Sequence, residues 1–166
     1  DEGNEVPNGE RGELCVKGPA VVKGYLNREE ATAEAIVDGY FHTGDIVYID
    51  DDGFLFIVDR AKDMVLRGGE NVYCAEVEAA VYEHPDIAEA AVFGVPDDRL
   101  GEAVGVAIHL KGGAALDQAG LTEFLAPMMA KYKIPEHVWF MDDPLPQNAN
   151  GKFLKRQLRD TLTAKD

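Results

Sequence analysis

The pattern of apolar and polar positions changes character near residue 60. Upstream, short runs rich in β-branched and aromatic residues dominate: "ELCVKG" at 13–18, "AVVKGY" at 20–25, "IVYID" at 46–50 and "FLFIVD" at 54–59. Bounded by Gly, Pro and Asp, such runs predict strands. Gly18-Pro19 separates the first two, and Asp51-Asp52-Gly53 is a hairpin signal between the last two. Between these pairs, "NREEATAEAIVDG" at 27–39 predicts a short helix. Asn27 stands as its N-cap, Glu30 completes a capping box, and Gly39 follows the last periodic residue. The stretch "DGYFHTGD" at 38–45 reads as turn-rich, with Asp45 at the edge of a strand.

Downstream the texture is different. "RAKD" at 60–63 breaks the strand pattern, and "MVL", "RGGE" and "NVY" predict a small hairpin. "AEVEAAVYEH" has helical spacing and is stopped by Pro85. "IAEAAVFGV" and "EAVGVAIHL" predict buried strands, and "LTEFLAPMMAKY" predicts a helix broken at Pro127. "HVWFM" predicts another strand, and residues 153–163 a last helix. Residues 63–166 thus follow the order β-β-α-β-β-α-β-α, a compact α+β unit. The predicted organisation is a β-rich part at 1–59, a junction at 60–62 and an α+β domain at 63–166.

Charge narrows the function. The 166 residues hold 31 acids against 16 bases, a net charge of -15. That argues against non-specific binding of nucleic acid or of an anionic membrane surface. The acids are uneven: residues 1–60 carry 14 acids and 5 bases, residues 131–166 carry 5 acids and 7 bases. The two cysteines, Cys15 and Cys74, show no CxxC pairing and no ligand-like histidine spacing. Neither a disulfide framework nor a metal site is expected, and reduced cytoplasmic thiols are. No apolar run approaches the roughly 20 residues of a membrane span, and no signal peptide is visible. The start lacks an initiator methionine, which suggests a piece of something longer.

Three stretches carry candidate chemistry. In "DGYFHTGD", Asp45 offers a carboxylate of the kind that accepts hydrogen bonds from a vicinal diol such as ribose. Thr and Gly beside Asp also simply make turns. In "VDRAKDMVLRGGENVYCAEVE" at 58–78, Arg60 lies at the junction and can fork onto a hydroxyl or phosphate. Gly68 and Gly69 allow close backbone approach, and an interdomain linker with a hairpin turn explains them equally. In "PQNANGK" at 146–152, Lys152 is a point charge in the locally basic part of an acidic chain. Proline, asparagine and glycine around it predict a flexible polar loop that could carry the charge to an anion.

Together, in this order and at these separations, the three stretches resemble the adenylate-forming superfamily of acyl-CoA synthetases, peptide-synthetase adenylation domains and firefly-type luciferases. The resemblance runs from "RGELCVKG" to "GKFLKR", nearly the whole chain, and looks most like the fatty-acyl and aryl CoA ligase branch. It implies an α+β fold in which a terminal β-rich subdomain of the large AMP-binding domain is joined by a hinge to a small C-terminal lid domain. It also implies roles. Asp45 and Arg60 match the residues that hold the ribose of ATP or of the acyl-adenylate. Lys62 matches the hinge about which the lid rotates. Gly68 and Gly69 match the loop lining the pantetheine tunnel, and Lys152 matches the lysine that enters the active site during adenylation. Two positions depart from the pattern: Cys74 stands where proline is common after "NVY", and Gln147 where arginine is common ahead of the lysine.

The implied activity is that of an AMP-forming acid–CoA ligase of fatty-acid metabolism. A carboxylic acid, fatty or aryl, attacks the α-phosphate of ATP with Mg2+, and CoA then takes the acyl group. The superfamily's phosphate loop and acyl pocket have no counterpart in these residues, so the chain alone is expected to be inactive. Adenylation for a carrier protein is the alternative acceptor chemistry, and a non-catalytic module with the lid fold is the alternative of another class. Retention of Asp45, Arg60, Lys62 and Lys152 argues against the latter. A protein acetyltransferase acting on Lys152 is a further implied partner, since acetylation would remove its charge.

Overall fold

The structure, a computed structural model, describes residues 3–164. They fall into two compact units that part between Lys62 and Asp63.

The first unit is built on one long strand. The elements are β1 (Gly12–Val16), α1 (Glu29–Ala35), β2 (Ile36–Val37), β3 (Tyr40–Ile49) and β4 (Leu55–Arg60), closed by a 3-10 turn at Ala61–Asp63. All pairings are antiparallel: β1 runs along one edge of β3, while β2 and β4 take opposite ends of the other edge. Asp38 and Gly39 both have positive φ, 51° and 79°, and join Val37 to Tyr40 as a two-residue hairpin. That is the backbone a type I′ turn requires, and Asp-Gly supplies it with little strain.

Several expectations fail here for local reasons. "AVVKGY" is no strand: Val21 N donates to Gly18 O in a turn, Gly24 has φ 155°, and Val22 is exposed. Asn27 is no N-cap. Its φ of 55° places it in the left-handed region, and Arg28 caps the helix without a side-chain bond. Nor does the helix reach Gly39, because Ile36 and Val37 leave it to pair with β3. "DGYFHTGD" is a turn only at its first two residues; from Tyr40 it is strand. Thr43 and Gly44 suit a strand here because Thr43 Oγ1 donates to Leu14 O and Gly44 N donates to Glu13 Oε1.

This unit buries little. Among its described residues only Ile46 and Val47 are buried hydrophobics, whereas Phe54 and Ile57 are 66% and 67% exposed. An apolar hollow of about 340 Å³ opens beside Val16, Val22, Tyr25 and Phe41. Uncovered apolar surface of this kind marks an interaction face.

The second unit contains β5 (Val65–Arg67), β6 (Glu70–Val72), α2 (Cys74–Tyr82), β7 (Ile87–Asp97), β8 (Gly101–Leu110), α3 (Gln118–Leu125), β9 (His137–Met141) and α4 (Lys155–Thr163). This is the order read from the sequence. The sheet order is β6-β5-β8-β7, with β9 parallel to β8 and every other pairing antiparallel. The period of two along β7 divides the interior. Ala90 and Val92 face a core with Val77, Val81, Leu121 and Leu125; Ala91, Phe93 and Val95 face another with Leu145, Leu158 and Leu162. Helices α2 and α3 therefore cover one face and α4 the other. Asp117 caps α3, accepting from Gly120 N at 2.8 Å, and the helix stops two residues before Pro127.

Leu125 is fully buried. Leu125→Ala should destabilise this unit by about 2–5 kcal/mol through lost burial and a residual cavity. Trp139, the single tryptophan, lies against the opposite core and reports the unit's unfolding by fluorescence in urea. An unchanged midpoint would mean that α3 is not part of the cooperative core.

Candidate active site

In the first unit, strand pairing fixes one constellation. Asp45 and Arg60 are register partners across β3 and β4. Arg60 Nε lies 2.9 Å from Asp45 Oδ1, with the Asp45 side chain 22% exposed and Arg60 57%. A carboxylate held through one oxygen can still accept from a diol through the other, and the guanidinium keeps further donors for an oxygen-rich ligand. Lys62, two residues on, lies in the 3-10 turn that ends the unit.

A second constellation in this unit was not legible in the sequence. Glu13 and Cys15 on β1 and His42 on β3 bring a carboxylate oxygen, a thiol sulfur and a ring nitrogen within 4.8 Å of one another. Burial and the neighbouring Glu13 carboxylate push the Cys15 thiol above its usual pKa. The chain has no ligand-like cysteine–histidine spacing, yet strand pairing brings Cys15 and His42 together.

In the second unit, Gly68 and Gly69 form the turn between β5 and β6 with φ 60° and 89°. Gly68 N donates to Leu100 O at 2.7 Å. The two glycines are therefore required by backbone conformation alone. Cys74 is fully buried, and its thiol donates to Asp63 O, so it packs the start of α2.

The Lys152 segment is more ordered than its composition suggests. Asn148 Oδ1 accepts from the N–H groups of Asn150 and Lys152, and Asn148 N donates to Lys152 O at 2.9 Å. Gln147 bridges to Phe153, and Leu154 N donates to Pro146 O. Upstream, Leu145 is buried and its N–H is held by Glu89. The segment is a small closed hairpin fastened to its unit, not a flexible polar loop. The Lys152 side chain extends from this hairpin; it is 62% exposed, with Nζ 4.0 Å from Asp63 Oδ2.

Three residues on, Lys155 fastens this hairpin to α2. Its Nζ lies 2.8 Å from Glu78 Oε1, with side chains only 18% and 20% exposed, and Glu78 also accepts from Val92 N. A cation in the first turn of α4 opposes the helix dipole, and Glu78 offsets that. Burial lowers the Lys155 pKa, but Glu78, Cys74 and Asp63 outweigh it and leave the value raised above the ordinary 10.5. A raised amine pKa stabilises the fold fully below the unfolded value and loses that contribution as pH rises through the folded value. Stability from this pair should therefore be flat at neutral pH and fall only in strong alkali. Glu78→Gln should cost about 2–3 kcal/mol at neutral pH, less than the 3–5 of a fully buried broken pair. Urea titration at neutral and strongly alkaline pH checks both; a variant as stable as wild type at neutral pH would make the pair incidental.

Residues 76–152 match the family model described as the AMP-binding enzyme C-terminal domain. The chain is 51% identical over 150 residues to the 2-succinylbenzoate–CoA ligase of Geobacillus kaustophilus, which covers 90% of the chain and 30% of the relative. This chain belongs to the adenylate-forming, AMP-binding superfamily. The long-chain-fatty-acid–CoA ligase of Escherichia coli is 47% identical over 165 residues, covering 99% of the chain and 29% of that enzyme. The solved structure of ATP-bound MatB from Rhodopseudomonas palustris matches with a TM-score of 0.89 at 41% identity, over 98% of the chain and 32% of MatB.

Within this superfamily the fold is the one the resemblance implied, with a β-rich part followed in the chain by a mixed α/β unit of the C-terminal lid type. The chain spans about a third of the length of the relatives it matches. Glu78 and Lys152 fall inside the segment matched by the family model; Asp45, Arg60, Gly68 and Gly69 lie ahead of it and Lys155 just beyond. The partnership of Glu78 and Lys155 escaped the sequence reading because a charge on a helix face looks solvated until its partner's position is known.

Proposed function

We propose that this chain serves an ATP-dependent acid–CoA ligase, supplying the ribose-binding strand pair and the lid that carries the adenylation lysine. The carrying observation is the Asp45–Arg60 pair, a carboxylate and a guanidinium 2.9 Å apart at register-matched positions of two adjacent strands. The pair fits a ribose, with Asp45 accepting from the hydroxyls and Arg60 donating to ring or phosphate oxygens. Mg2+ belongs to the ATP phosphates on this reading, and supplies charge neutralisation there when bound.

Lys152 is the adenylation cation. As carboxylate oxygen attacks the α-phosphorus, charge gathers on the phosphoryl oxygens, and an ammonium held beside them lowers the barrier. The closed hairpin around Lys152 supports a specific way of delivering it. The hairpin's backbone is bonded to its own unit, so the lysine travels with the whole lid and not as a free arm. A turn centred on Lys62 is where the torsion would change, and rotation there would withdraw Lys152 and bring the Gly68-Gly69 turn toward the CoA arm. The relatives named above act on acids as different as 2-succinylbenzoate and long-chain fatty acids. We place the substrate of this chain among fatty or aryl acids. The exposure of Lys152 also leaves it open to a protein acetyltransferase, which would abolish the cation.

Carboxylate-dependent exchange of pyrophosphate into ATP by the complete enzyme tests the reading. Exchange stimulated by fatty or aryl acids, and lowered by Asp45→Ala about 100-fold as for a lost positioning contact, is expected. Exchange indifferent to Asp45→Ala would remove the carboxylate from the nucleotide site. The isolated chain should release no pyrophosphate above background under the same conditions.

A further inference from the structure

We infer that Glu13, Cys15 and His42 form a binding site for a borderline divalent transition cation, Zn2+ in the first instance, with three protein donors and an open fourth position. The donors are of the three kinds that zinc takes: carboxylate oxygen, thiolate and imidazole. They come from adjacent strands in a fixed register, Cys15 being the direct cross-strand partner of His42. The pairing of β1 with β3 is irregular between Glu13 and Cys15.

The distances suit the ion. Zn–S bonds of about 2.3 Å and Zn–N bonds of about 2.0 Å at a tetrahedral angle put sulfur and nitrogen roughly 3.5 Å apart. Cys15 Sγ and His42 Nδ1 are 3.5 Å apart. Glu13 Oε2 is 2.8 Å from the same nitrogen, and the tetrahedral edge is about 3.3 Å, so this contact must open by about 0.5 Å. His42 Nδ1 faces both the Glu13 carboxylate and the Cys15 thiol. A cation accepts lone pairs from all three.

The surroundings favour the site. Glu13 is oriented from behind, since its other oxygen, Oε1, accepts from Gly44 N at 3.0 Å, the kind of outer contact that steadies a metal ligand. Thr43 Oγ1 donates to Leu14 O and ties the two strands at the same level. Exposure of about a third of the Glu13 and His42 side chains, 33% and 35%, leaves water access to the fourth position. The excess of acids in residues 1–60 attracts cations generally. On binding, the Cys15 S–H bond breaks, a metal–sulfur bond forms, and the proton leaves to solvent.

Titration of the chain with Zn2+ by calorimetry, and with Co2+ by absorption, tests this. One equivalent should bind with proton release, and cobalt should show a thiolate charge-transfer band with d–d bands of tetrahedral intensity. Cys15→Ser and His42→Gln should each weaken binding more than about 100-fold, the upper end of what outer-shell losses cost, with circular dichroism unchanged. A measurement free of variants is alkylation. Zn2+ should slow modification of exposed Cys15, while Cys74, fully buried, serves as the unreactive internal reference. No saturable binding, binding unmoved by both variants, or Cys15 alkylation unaffected by bound Zn2+ would each overturn the site.

Discussion

In the complete enzyme, Lys152→Ala should slow acyl-adenylate formation by about 10²–10³-fold, the usual loss when an oriented donor to developing charge is removed. Conversion of supplied acyl-AMP and CoA to thioester should be nearly unchanged. The asymmetry follows from the proposed geometry. The Lys152 side chain is exposed and its nearest anion, Asp63, is 4.0 Å away, so its loss leaves no buried charge behind and should not disturb the fold. Its backbone is held by Asn148 and not by its own side chain. Half-reaction kinetics with synthetic adenylate measure the split. Equal losses in both halves would assign Lys152 to a step common to them.

The opposite asymmetry is expected at the junction. Lys62 lies in the short 3-10 turn at the end of the first unit, next to the division between the two. Lys62→Pro fixes φ there and removes a backbone donor. Adenylation, which on this reading needs one lid position, should survive. Thioester formation, which needs the other, should fall by about 100-fold, the order of loss that misplacing a reacting group brings. A variant losing both halves equally would place the pivot elsewhere.

Much of the lid was legible because its signals are local. Pro85 and Pro127 end helices, Gly68-Gly69 makes a hairpin, and the apolar runs of β7 and β8 are long enough to be buried strands. The first unit read less well because its conformation is set across strands. Thr43 and Gly44 look like a turn until Leu14 and Glu13 supply their hydrogen bonds, and Val21 and Val22 look like a strand until no partner pairs with them. Asp45 and Arg60 were each visible as candidates, but their contact depends on the β3–β4 register. The same is true of Glu13, Cys15 and His42, and of Glu78 with Lys155. In the Lys152 segment, composition indicated a flexible polar loop, right in polarity and wrong in flexibility. It could not reveal that one asparagine side chain, Asn148, closes that turn into a hairpin.

The central claim is that the chain works in activation of a carboxylic acid through an adenylate. Incubating the complete enzyme with a fatty or aryl acid and ATP, without CoA, and analysing the quenched mixture by mass spectrometry tests it most directly. Acyl-AMP and pyrophosphate should accumulate together to no more than the enzyme concentration, and when CoA is added the acyl-AMP should be chased to acyl-CoA and free AMP while the pyrophosphate remains. Formation of ADP and phosphate instead, or of thioester by way of no adenylate, would contradict it.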